Sequence, residues 1–156
     1  MGRTLEEIEK ELKQVQAERD ILDKKESKLW KERQKAYEAS IESLIDSKFK
    51  VGKSYLVFRK IDYHCTPITI IQLLEKRNRS FKEREVCIHF YDSEYNVITK
   101  IDSIDFESLD SQTSDNCYEL TDEQANELIN KFYSFDSLNI DDIEKEVEEL
   151  RKQYAN

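Results

Sequence analysis

The chain has 156 residues, a formal net charge of −9, and charged and hydrophobic residues in equal shares of 38%. That is polar for a compact globule, but eight Tyr, seven Phe and many Ile and Leu exclude a wholly disordered chain. No apolar run approaches the roughly 20 residues that span a bilayer, and two Gly and one Pro leave no Gly- or Pro-rich linker.

Thr4, followed three residues later by Glu7, has the spacing of a capping box, in which hydroxyl and carboxylate satisfy each other's backbone amides. A helix is expected to open there. Leu5, Ile8, Leu12 and Val15 then step by three and four, as an a/d seam does. The same register continues through Arg19, Leu22, Glu26, Leu29 and Arg33, so the d positions stay apolar while the a positions become charged. Beyond this the stripe moves to Trp30, Tyr37, Ile41, Leu44 and Ile45, the shift that a stutter produces. Without Pro or Gly between Arg3 and Val51, the helix is expected to reach about Ser47, roughly 65 Å at 1.5 Å per residue.

One helix cannot bury such a stripe by itself. Residues 1–48 therefore read as an oligomerisation or docking helix, with Leu5, Ile8, Leu12, Val15, Leu22 and Leu29 driving assembly, in the simplest case of a homodimer.

Residues 49–120 carry β-type sequence. "KVGKSYLVFRKI", "TPITIIQLLEKR", "REVCIHFYD" and "YNVITKIDSIDF" read as a meander of four strands, with a fifth near "NCYEL". So small a β-domain is marginal alone and is expected to pack on helices. Residues 121–156 return to helical spacing. Thr121 and Gln124 form a second capping box, opening a short helix with Ala125, Leu128, Ile129 and Phe132 on one side. Asn139 is placed to cap a last helix, whose Ile140, Ile143, Val147, Leu150 and Tyr154 form a second seam. The predicted class is α+β. The order also permits the last helix to return along the first, although it is far shorter.

Charge is divided unevenly. Residues 1–47 carry net −2, residues 48–100 net +5 and residues 101–156 net −12. "EKRNRSFKERE" is the sharpest basic feature and is expected to be a hairpin loop. Lys76, Arg77, Arg79, Lys82 and Arg84 could meet phosphate there and Phe81 could stack on a base, which makes nucleic acid the alternative partner to protein. Glu144, Glu148 and Glu149 would form an acidic outer face on the last helix, suited to a basic partner.

The chemistry-bearing residues are few. His64, Cys65, Cys87 and His89 are two His and two Cys, but their spacing matches no common zinc knuckle, and neither metal nor cofactor is expected. A zinc-stabilised domain or enzyme is the third reading. The sequence contains no nucleophile elbow, P-loop or dinucleotide-binding glycine pattern, so catalysis is not expected. Three Cys without a CxxC, and no apolar leader, fit a reducing, cytoplasmic setting.

"VGKSYLVF", a β-meander and then "YELTDEQANELINKFYS" resemble small uncharacterised proteins of phages and mobile elements, over roughly residues 49–135. In those, a Gly-Lys-x-Tyr opening precedes an SH3-like sheet and a capped helix follows it. The resemblance implies a phage-encoded accessory or anti-defence (inhibitor) role in a host cytoplasm, and no activity. The leading reading is a non-enzymatic interaction protein that assembles through its helices.

Overall fold

The computed structural model describes residues 2–59, 64–92, 94–114 and 116–155. In chain order these form α1 (Leu5–Lys48), β1 (Ser54–Phe58), β2 (His64–Arg77), β3 (Ser80–Tyr91), β4 (Glu94–Asp105), α2 (Phe106–Thr113), β5 (Cys117–Leu120), α3 (Asp122–Tyr133), a 3-10 turn (Ser134–Ser137) and α4 (Ile140–Ala155). The chain divides into two compact units, residues 1–40 and 41–156.

The first unit is helix. The predicted cap is present: Glu7 N–H donates to Thr4 Oγ1 at 3.2 Å and Thr4 N–H donates to the Glu7 carboxylate at 2.9 Å. From Gly2 to Ser40 every residue is exposed except half-buried Glu38.

The second unit is built on one antiparallel sheet of order β4-β3-β2-β1-β5. Side chains alternate across a strand, and both faces of this sheet are covered. On one face Leu56, Phe58, Ile68, Ile70, Val86, Ile88 and Phe90 pack against Leu128 and Phe132 of α3 and Ile143, Val147 and Leu150 of α4. On the other, Tyr55, Val57, Ile71, Leu73, Phe81 and Ile104 pack against Ile41, Ile45 and Phe49 and against Phe106 and Leu109 of α2. The double cover explains why "SYLVF" is apolar over most of its length: all five residues are buried, Leu56 and Phe58 in one core and Tyr55 and Val57 in the other.

Two boundaries differ from expectation. The compact unit begins at Ile41 rather than at residue 49, because Ile41 and Ile45, one turn apart on α1, bury 92% or more of their surface in the second core. The stretch "EKRNRSFKERE" is mostly strand. Glu75–Arg77 end β2, Ser80 opens β3, and only Asn78 and Arg79 make the turn, with Arg79 in the left-handed region at φ 59°. Strand length hides there because charged residues alternate with Phe81 rather than with a run of aliphatics.

Helix α2 was not legible in the sequence. It is eight residues long and buries only Phe106, Leu109 and Thr113, too few to show a period. Its signal is local: the Ser108 N–H donates to the Asp105 carboxylate at 2.7 Å, and the Ser108 hydrogen bonds hold that carboxyl below its usual range. After α1 the chain turns at Gly52, whose φ of 86° favours glycine and whose N–H donates to the Leu73 carbonyl at 2.8 Å. Among the described residues no helix is long and apolar enough to cross a membrane.

Candidate functional site

The face of α1 within residues 1–40 is a long exposed apolar stripe. Leu5 is 72% exposed, Ile8 41%, Leu12 55%, Val15 51%, Leu22 63% and Leu29 54%. Trp30 and Tyr37 extend the face and are also more than half exposed. Monomeric soluble proteins rarely leave so continuous a stripe in water. At its C-terminal part the charged a residues are held by the aromatic ring: Trp30 Nε1–H donates to Glu26 at 3.3 Å, and the Arg33 guanidinium lies 5.0 Å from the Trp30 ring centroid. Shallow clefts of about 300 and 330 Å³ flank that ring, lined by Arg33, Gln34 and Tyr37 and by Glu26, Leu29 and Arg33.

The seam of the last helix has a different fate. Ile143, Val147 and Leu150 are 0–3% exposed and pack on the sheet with Leu56, Ile70 and Ile88. Helix α4 therefore uses its apolar side on the sheet. Its outer side carries exposed Glu148 and Glu149, with Glu144 half-buried; Glu148 pairs with Arg151 at 3.4 Å.

The basic hairpin is largely neutralised from within. Lys76 Nζ lies 2.8 Å from Asp46 and 4.0 Å from Glu42, both on the last turns of α1, and its pKa is raised chiefly by the Asp46 hydrogen bond. Arg79 pairs with Glu107 of α2, and Arg77 with Glu75 at 3.7 Å. Phe81 is not a stacking platform. It is 1% exposed, with its ring 5.3 Å from that of Phe106, because β3 turns this side chain into the second core. Half-buried Lys82 and exposed Arg84 alternate to the opposite face, and the structure does not bring them together with Lys76 and Arg79.

Sequence reasoning missed Glu83. It shares a face with Phe81, is 4% exposed, and its Oε2 has no hydrogen-bond partner among the described residues. Burial, with Glu85 and Asp102 nearby, pushes its carboxyl up to about 7 against the opposing pull of Lys100 and Arg59. The available signal was strict alternation: a Glu two residues from a core Phe on a strand with both faces covered must itself point inward.

The two described thiols are quiet. Burial pushes Cys87 and Cys117 up to about 11, which leaves little thiolate at neutral pH. His89 Nδ1 lies 3.0 Å from Thr66 Oγ1. Among the described residues no group of three or more His, Cys, Asp or Glu is arranged to hold a metal ion, and the side chains of His64 and Cys65 lie outside that description. A cleft of about 320 Å³ between the end of α1 and β5 is lined by Lys48, Tyr55, Thr113, Cys117 and Glu119. There the Lys50 N–H donates to the Tyr55 hydroxyl at 2.9 Å, and burial raises the phenol's pKa.

Fold and surface together describe a helix-covered antiparallel sheet whose first helix carries an exposed heptad seam. Compared with protein families, curated proteins and solved structures, the chain matches none of them.

Proposed function

We propose that this protein acts by association, as an interaction module that assembles through the seam of α1. The observation that carries the reading is the exposure of six seam residues at 41–72%, in a chain whose other seam, on α4, is already buried against the sheet. The docking helix and the sheet then have separate roles: one makes the assembly and the other is the body it carries. The internal pairing of Lys76 and Arg79 and the burial of Phe81 weigh against the hairpin as a nucleic-acid site.

The test is Leu12→Asp with Val15→Asp, read by light scattering beside circular dichroism. Burying the exposed half of such a side chain is worth roughly 1 kcal/mol, so a symmetric pair loses roughly 4 kcal/mol from four side chains. That alone weakens association about a thousandfold, before desolvation of the new carboxylates. The expected result is an oligomer that becomes monomeric with its sheet melt unchanged. A wild-type chain that is monomeric at micromolar concentration removes the reading.

A further inference from the structure

We infer that the α1 seam is covered by a second copy of this chain lying antiparallel to the first. The inference rests on the association proposed above and adds the identity and direction of the partner helix. The seam's own charges decide it. In a parallel pair held in register, each a residue faces its own copy. Arg19 would meet Arg19, Glu26 would meet Glu26 and Arg33 would meet Arg33, in three successive a layers. On the flank, Glu18 at g would lie beside Asp23 at e of the second copy, a further like-charge contact made twice. All of these side chains are exposed in the single chain, so nothing within it neutralises that repulsion by burial.

Sliding one parallel helix by a heptad sets Arg19 against Glu26 and Glu26 against Arg33. Such an offset is head-to-tail, however, and continues into an open filament instead of closing as a pair.

Reversing one helix removes the three like-charge a layers and the Glu18–Asp23 contact, and closes the two-fold. Antiparallel packing sets a positions against d positions, and every d position from Ile8 to Ala36 is apolar. With the crossing point between residues 20 and 21, Leu12 meets Leu29, Leu5 meets Ala36, and Val15 and Leu22 meet Glu26 and Arg19. Long charged side chains tolerate such places by laying their stems on the apolar neighbour and keeping the head in water. On the flanks Glu18 meets Lys25 twice, and this attraction lies next to the one like-charge contact of the pair, Glu11 with Glu32. The apolar-only half of the seam thereby covers the mixed half, a complementarity within one sequence that needs no foreign helix.

The experiment is a pulsed dipolar distance measurement on the full chain. A ketone-bearing residue replaces Glu6 or, separately, Ala17, and carries the nitroxide, so the native thiols stay in place. Both positions lie on the exposed helix. At 1.5 Å per residue, an antiparallel pair offsets the two labels along the axis by roughly 43 Å at position 6 and roughly 10 Å at position 17. A distance at position 6 longer by 15 Å or more supports the inference. Equal short distances at both positions mean a parallel pair and overturn it. A monomer by light scattering, with no dipolar signal at either position, overturns the association itself.

Discussion

Replacing Glu83 with Gln should change the stability of this protein in a pH-dependent way with a definite sign. The carboxyl is buried and its pKa is raised from 4.5 to about 7. A group that binds its proton more tightly folded than unfolded makes folding take up a proton between those two values, so stability falls as pH rises through that window. At about 1.36 kcal/mol per pH unit, the charged carboxylate costs at most about 3 kcal/mol above pH 7 and nothing below pH 4.5. Gln keeps the shape and cannot ionise. The Glu83→Gln chain should therefore be close to wild type in stability near pH 4.5, gain on it as pH rises to about 7, and hold that gain to pH 8, by up to about 3 kcal/mol. Urea unfolding at pH 4.5, 6 and 8 reads this, with both proteins carrying Leu12→Asp and Val15→Asp so that unfolding is unimolecular. Other titrating groups are common to both chains and cancel in the difference. A stability difference that stays flat across the three pH values would refute the reasoning, because it would mean that Glu83 is solvated as a carboxylate in the fold.

Other outcomes follow from the same packing. Phe81→Ala should destabilise the sheet by about 3–5 kcal/mol, as expected for a core aromatic, and leave retention on an oligonucleotide column unchanged. Thr121→Ala removes the hydroxyl that accepts the Gln124 N–H at 3.1 Å and should cost about 1 kcal/mol in thermal or urea unfolding, with the sheet's spectrum intact. Cys87 and Cys117, followed peptide by peptide in mass spectrometry, should react with a maleimide at neutral pH far more slowly in the native chain than in urea, since both thiols titrate near 11.

The helices with a long period were the readable part of this sequence. Both capping boxes form as written, at Thr4–Glu7 and Thr121–Gln124, because a cap is a contact between residues three apart and needs no tertiary information. The strands of the meander were readable where β-branched residues dominate, as in Ile68–Leu73. They were misread where charge dominates: Ser80–Glu83 are strand because their backbones pair with β2 and β4, partners invisible to local pattern. The seam on α1 was legible as a period, but only the structure shows that α4, which has the same period, uses its own on the sheet. The basic hairpin illustrates the reverse failure. Composition placed five cations and an aromatic together, and alternation along β3 then sent Phe81 to the core and Lys82 and Arg84 to the other side.

Strand β4 ends the sheet with twelve residues that, among the described residues, are paired on one side only. Its outer row of amides and carbonyls is the kind of open template onto which another strand can dock. The side chains along it work against that: Glu94, Lys100, Asp102 and Asp105 put charge of both signs at intervals, and a second β4 running alongside would have to desolvate them. The edge charges thus discourage strand-to-strand stacking of copies, the step from which fibres grow.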